Sequence, residues 1–320
     1  MLVPVYDIKN CGPRHRFVAN GKLVHNSDSI NLQNLPARGA NAGRIKKSML
    51  APPGHVVIDC DSSQIEARTL AWLAGQTDLV RAFAAKQDVY KLMASTIYGT
   101  PVDNIDTAQR QVGKTTILGC GYGVGAAKLQ AFLKQQTGLD VHLAEVQRIV
   151  TTYRNTYPRI PDLWRTAERA LASLAMGVVQ AVDVQGVVRT VPGKGLSLPN
   201  GLHIQYPDLR KELHTSPQGE TKQRWTYTSK GLPVGIYGGK IVENFTQSIA
   251  RIIIGEQMLR IAKRYQVVLT VHDSVAVVVP VADADKARAY VEACMSWVPK
   301  WATGLPLACE SGMGASYGDC

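Results

Sequence analysis

The stretch VVLTVHDSVAVVV (residues 267–279) constrains the fold more than any other part of the chain. Two β-branched runs flank a short polar interruption, which reads as a tight antiparallel hairpin with Asp273 near its tip. A second buried strand, HVVIDCD (55–61), leads into the helical stretch SQIEARTLAWLAG and ends on Asp61. A carboxylate at a buried strand costs several kcal/mol unless something pairs with it. Two of them side by side would repel, and a hard dication with oxygen ligands relieves that repulsion. Spacing alone leaves a second reading open, in which both are ordinary turn residues.

About 200 residues separate the two aspartates, and most read as helix: DLVRAFAAKQDVYKLMASTIYG, DTAQRQVGKTTILGCGYG, KLQAFLKQQTG, AEVQRIVTTYRNTYP and IPDLWRTAERALASLAMG. Residues 181–240 change texture to Gly, Pro and Thr with short strand signals and read as hairpins, before a long helix over 243–265. A last helix covers about 283–298, and residues 27–55 read as loop. Segregated helices and antiparallel strands define an α+β class.

Charge and cysteine usage exclude several function classes. Lys plus Arg exceed Asp plus Glu by 36 − 25 = 11, a field that attracts polyanions, nucleic acid before membrane. The six cysteines form no CxxC pair, which excludes a zinc knuckle by spacing and, with no signal peptide at Met1, points to reduced thiols in a cytoplasmic setting. No apolar run approaches the roughly 18 residues of a membrane span.

In RQVGKTTILGCGYG, Arg110, Lys114, Leu118 and Tyr122 recur every four residues, so a helix presents two cations, an apolar side chain and an aromatic ring along one slowly drifting face. A nucleoside triphosphate offers phosphates, sugar and base in the same order. GKT (113–115) is not a P-loop, because Ala108 stands where the first glycine is required and no strand precedes it. GCGYGVG (119–125) follows a helix instead of opening one, so it is a poor dinucleotide fingerprint.

Taken in order, DSSQIEAR, R-x3-K-x3-L-x3-YG and VHDS resemble motifs A, B and C of family A DNA polymerases. NLQNLP (31–36), YRNTYP (153–158), ENFTQ (243–247) and the terminal ESGMGASYGDC agree with that resemblance, which covers about residues 27–320. It implies a right-hand polymerase palm, an antiparallel sheet with helices, interrupted by mainly helical fingers. The implied boundaries are palm 27–68, fingers 69–239 and palm 240–320. The implied function is DNA-directed nucleotidyl transfer from dNTPs to a primer 3′ end with two Mg²⁺ ions. Asp61, Asp273 and the Ser62 carbonyl would hold the metals. Arg110 and Lys114 would bind the triphosphate, Lys114 also protonating the leaving pyrophosphate. Ser63, Gln64 and Leu118 would line the nucleotide site, with Glu66 and Tyr122 excluding a ribose 2′-hydroxyl. Arg68, Asn244, Gln247 and His272 would contact primer–template DNA. Two positions depart from the family pattern: Leu118 replaces a common Phe or Tyr, and Ser274 stands where a Glu usually follows the motif C aspartate.

The chain changes character between Asn26 and Ser27. VYDI (5–8), HRFVANG (15–21) and VHN before Ser27 resemble the C-terminal blocks of inteins, a short β segment over 1–26. Asn26 can cyclise on its own carbonyl, His25 can polarise that carbonyl, and Ser27 can accept an upstream acyl chain. Asp7 and His15 would assist proton movement. The first 26 residues leave no room for a thumb and upstream palm, so the resemblance implies a partner: an N-terminal polymerase half fused to an intein N-segment, joined by splicing, without which the chain is inactive. A longer contiguous precursor is the other arrangement. The competing functional class is an inactive remnant that binds nucleic acid without splicing.

Overall fold

The computed structural model describes residues 16–19, 22–25, 42–215, 219 and 221–320. In chain order its strands and helices are β1 (Arg16–Ala19), β2 (Lys22–His25), α1 (Ala42–Lys47), β3 (His55–Ser62), α2 (Ile65–Ala74), α3 (Thr77–Ala84), α4 (Val89–Tyr98), α5 (Thr107–Cys120), α6 (Ala126–Thr137), α7 (Leu143–Thr156) and α8 (Arg159–Met176). They continue with β4 (Arg189–Val191), β5 (Gly195–Ser197), β6 (His203–Ile204), β7 (Arg210–Thr215), β8 (Thr221–Ser229), β9 (Leu232–Ile236), α9 (Gly238–Ile261), β10 (Val267–Val271), β11 (Ser274–Pro280), α10 (Ala284–Met295) and β12 (Cys309–Gly314).

Two compact units emerge. One gathers the described residues up to Asp61 with Met258–Met295 and Cys309–Cys320; the other holds Ser62–Gln257 and Ser296–Ala308. The first is built on a four-stranded sheet of order β10-β11-β3-β12. β11 pairs antiparallel with both β10 and β3, and Val271↔Ser274 closes the expected hairpin with only His272 and Asp273 in the turn. His272 takes φ +52°, in the left-handed region that a two-residue turn can demand of its first residue.

Alternation along β3 sends Ile58 and Cys60 to one face, where they are buried, and Val57, Asp59 and Asp61 to the other. Val57 joins Val271, Ala276 and Tyr317 in a buried cluster with Met49, Ala51, Leu269 and Val278 against it. Burial of apolar residues on both faces explains why β3 reads as a near-continuous apolar run. The described part of the segment expected to be loop contains the short helix α1. Its six residues carry three cations and Gly43, little intrinsic helical signal, and tertiary packing on the 317–319 turn, with Lys46 Nζ 5.5 Å from the Tyr317 ring centre, accounts for it.

The second unit is mainly helical. α2 ends at Gly75, as the sequence predicts, with that residue at φ +68° accepting the left-handed cap. The stretch 78–99, read as one helix, is two, because the Asp88 carboxylate caps the backbone amides of Tyr90 and Lys91 at 3.1 Å and starts α4 afresh. α5 packs on α4, α6 and α7. Gly113 sits where α5 crosses α4, so close that a Cβ would lie 2.1 Å from the Tyr90 carbonyl oxygen. That contact, within a helix, is the role of the glycine in the GKT sequence. Residues 189–236 form two three-stranded antiparallel sheets, β4-β5-β6 and β7-β8-β9, in the region read as hairpins.

Candidate active site

The hairpin tip and the end of β3 meet. Ser274 is the Cα partner of Asp61 in the β11–β3 ladder, so Asp273, one residue earlier, sits beside Asp61. Their carboxyls come within hydrogen-bond reach of each other. Asp61 is pushed up to about 7, first by loss of solvation and then by the neighbouring Asp273, Asp59 and Glu310 carboxyls. Burial likewise raises Asp273, opposed by its backbone amide and the His272 imidazole. Each carboxyl therefore keeps its proton to a higher pH than an isolated one does, as crowding of two acids requires.

A hard dication fits this donor set, since both side chains offer oxygen and a cation would take the place of a retained proton. Among the described residues no group of three or more His, Cys, Asp and Glu side chains is gathered to hold a metal. Two protein carboxylates, with the remaining positions left to water and substrate oxygens, is the ligand pattern of Mg²⁺. Ser62 ends β3 fully buried, and its hydroxyl has no hydrogen-bond partner among the described residues.

A pH dependence follows. The folded chain binds the Asp61 proton more tightly than an unfolded carboxyl near 3.8 does, so this site stabilises the fold most at low pH. That contribution is lost as pH rises from about 4 to about 7. The melting temperature without divalent cation is expected to decline across that window, and 10 mM Mg²⁺ is expected to raise it most at the upper end. Thermal melts at both ends, with and without Mg²⁺, check this; a cation effect equal at the two pH values would contradict it.

In the second unit, α5 carries Arg110, Lys114 and Leu118 one turn apart, with Leu118 43% exposed. Arg110 and Lys114 both lie over the Tyr90 ring, at 5.4 and 5.8 Å from its centre. Arg110 Nε also donates to Asp88 Oδ2 at 2.6 Å, a partner that sequence reasoning missed. Burial alone would raise the Asp88 carboxyl, but Arg110 and the α4 amides outweigh it and hold it below its ordinary range. The expected Glu66–Tyr122 pair is present: the Tyr122 hydroxyl donates to Glu66 Oε2 at 2.9 Å, and burial followed by the Glu66 charge keeps that phenol protonated.

The remaining expected residues are placed differently from one another. Arg68 is 5% exposed and turned inward: Nε donates to the Ser63 carbonyl at 2.7 Å, Nη1 to Pro306 at 3.0 Å and Nη2 to Gln64 Oε1 at 3.1 Å. It thus holds Ser63 and Gln64 in place. Asn244 Nδ2 donates to the Tyr206 hydroxyl at 3.1 Å, whereas Gln247 and His272 are exposed. His25 ends β2; Asp7, His15, Asn26 and Ser27 lie outside the described residues. Sequence reasoning also passed over Asp59. Its signal was the alternation in DCD, which sets Asp59 and Asp61 on one face of β3.

Known DNA polymerases are similar to this chain in sequence and in fold. A polymerase from Bacillus phage SP02 is 29% identical over 282 residues, covering 83% of this chain and 42% of the relative. Thermostable DNA polymerase I of Thermus thermophilus is 27% identical over 93% of the chain, covering 31% of the relative, so the chain spans less than half of either protein. A solved structure described as the POL domain of Pol1 from M. smegmatis in complex with DNA primer-template and dNTP superposes with a TM-score of 0.62 at 19% identity, covering 94% of this chain and 46% of that one. It shares the fold. The family model for DNA polymerase family A matches residues 15–319, beginning inside the segment that resembles an intein tail. With nearly the whole chain matched, the protein belongs to DNA polymerase family A.

Proposed function

We propose that the chain supplies the catalytic carboxylates and the nucleotide-binding helix of a DNA-directed DNA polymerase. The adjacency of Asp61 and Asp273 carries the reading, because two crowded carboxyls raised in pKa stay ionised at neutral pH most readily with a cation between them. Two Mg²⁺ ions held there would supply activation of the primer hydroxyl and neutralisation of charge at the transferred phosphate. The Ser62 carbonyl is assigned as a further oxygen donor.

Arg110 and Lys114 grip the triphosphate, with Asp88 holding the Arg110 guanidinium in place until phosphate oxygens share it. Lys114 donates a proton to the departing pyrophosphate. Leu118 presents an apolar surface to the sugar, and the Glu66–Tyr122 hydrogen bond closes the space a 2′-hydroxyl would need. Gln247 and His272 are assigned to primer–template DNA with Asn244. Arg68 acts through the Ser63 and Gln64 groups it holds. The primer-template and dNTP named for the similar solved structure support these partners.

The test is template-directed extension of a primer by the chain joined to an upstream polymerase segment. Extension is expected to require a divalent cation and dNTPs. Glu66→Ala is expected to lower the preference for dNTPs over rNTPs by roughly 10–100-fold, as when a site's matched group is lost. Cation-independent extension, or unchanged sugar preference, would contradict the reading.

We assign residues 1–26 to an intein C-terminal segment that joins the upstream half at Ser27. The residue set Asp7, His15, His25, Asn26 and Ser27 supports it, as does the β1–β2 hairpin with Arg16↔His25 in register. After mixing with a partner carrying the intein N-segment, mass spectrometry is expected to find a product joined at Ser27 and a released peptide ending at Asn26. Asn26→Ala is expected to abolish release of that peptide; unchanged release would rule out cyclisation at Asn26.

A further inference from the structure

Asp59 is a half-buried carboxylate that the mechanism above does not use, and its surroundings tie it to the hairpin that carries Asp273. The Ser274 hydroxyl donates to Asp59 Oδ1 across the β11–β3 ladder. Ser274 is buried, 5% exposed, and its own Cα partner is Asp61, so its side chain lies on the Asp59–Asp61 face of the sheet. The Tyr317 hydroxyl comes within hydrogen-bond reach of Ser274; burial raises the Asp59 carboxyl, and the Ser274 hydroxyl, the Lys46 ammonium and the Cys60 amide oppose that rise without cancelling it. Asp59 is therefore hydrogen-bonded from β11 and from its own strand, with the Lys46 charge of α1 acting on it from a distance.

Asp273 lies in the two-residue turn between the paired Val271 and Ser274. It follows His272, whose left-handed backbone is exposed at the turn, and the first ladder position that can hold it is Ser274. Resting on the carboxylate-pair reading, we propose that Asp59 is a positioning residue: through the Ser274 hydroxyl it fixes the chain next to Asp273 and so keeps the Asp273 carboxylate at the distance from Asp61 that a divalent cation needs. Asp59 itself is no direct ligand, in keeping with the lack of a three-group metal cluster among the described residues. Groups that orient a metal ligand from behind typically change metal affinity by 10–100-fold when lost.

The experiment is calorimetric titration of Mn²⁺ into the 320-residue chain, without DNA or nucleotide. Asp59→Ala and Ser274→Ala are each expected to weaken Mn²⁺ binding about tenfold. Ser274→Thr, which keeps the hydroxyl, is expected to stay within about twofold. Because both residues act through one hydrogen bond, the Asp59→Ala/Ser274→Ala double variant is expected to be no weaker than either single variant. Additive losses would overturn the proposal, since Asp59 would then act on the cation independently of Ser274. Unchanged binding in Asp59→Ala would overturn it too, as would equal losses in Ser274→Ala and Ser274→Thr. Should Asp59→Ala fail to fold, the Ser274→Ala and Ser274→Thr pair decides alone. Asp61→Ala separates the layers: if it binds Mn²⁺ like the parent chain, the carboxylate-pair reading itself falls, whereas loss there with none in Asp59→Ala removes only the positioning role.

Discussion

Replacing Asp61 or Asp273 by alanine is expected to reduce primer extension by about a thousandfold or more, the scale on which removing a main electrostatic stabiliser acts. Without divalent cation the same variants are expected to melt no lower than the parent chain at pH 7, and higher if relief of repulsion dominates. The two effects have one cause. Asp61, although exposed at the end of β3, is pushed up to about 7, first by partial loss of solvation and then by the Asp273, Asp59 and Glu310 charges, which disfavours its ionised form and prepares a place for positive charge. A residue retained for folding would show the reverse: a lower melting temperature and a loss of activity in proportion to it. Measuring extension and melting on the same preparations separates these cases; extension surviving in either alanine variant contradicts the assignment of both aspartates as metal holders.

The second large effect is expected at Gly113. Alanine is the better helix former by about 1 kcal/mol, so in a free helix Gly113→Ala would stabilise. Here the added Cβ would sit 2.1 Å from the Tyr90 carbonyl oxygen and 3.0 Å from the Ala94 amide nitrogen, both backbone atoms of α4. Backbone cannot rotate out of the way as a side-chain end can, so the two helices must separate. We expect a net loss of about 3 kcal/mol, which at this size lowers the melting temperature by about 5 °C. The displacement would also reach Arg110 and Lys114, because Tyr90 lies under both and Asp88 at the start of α4 holds Arg110. Nucleotide binding is thus expected to weaken together with stability. An unchanged or higher melting temperature would show that α4 and α5 do not cross this closely.

How much of this was legible depended on the range of the interaction. The hairpin at 271–274 was readable because β-branched runs on either side of a polar pair admit few other structures, and the antiparallel β11–β3 register then brings Asp61 and Asp273 together. The end of α2 at Gly75 was readable from local backbone preference. The break at Asp88 was not taken, since its signal, an acid that can cap, competes with an apolar period running through both α3 and α4. α1 was missed because packing, not propensity, makes it. At the candidate site, the four-residue spacing predicted Arg110, Lys114 and Leu118 on successive turns of one helix, but not that α5 ends at Cys120 and leaves Tyr122 in the following turn, that Asp88 occupies Arg110 or that Arg68 turns inward to Ser63, Gln64 and Pro306. Those partners lie as far as 238 positions away in sequence, and no local pattern encodes them. Asp59 is the instructive case between these extremes: alternation in DCD was signal enough to place it and was passed over, and its meaning comes only with Ser274 across the ladder.

On the proposed function, Asp61 and Asp273 jointly hold divalent cations. Anomalous scattering from crystals grown with Mn²⁺ tests it most directly. Manganese is expected in contact with carboxylate oxygens of both residues, as two ions about 3.5–4 Å apart once primer and nucleotide are present. Manganese absent from that position, or bound by only one of the two aspartates in the full complex, would contradict it.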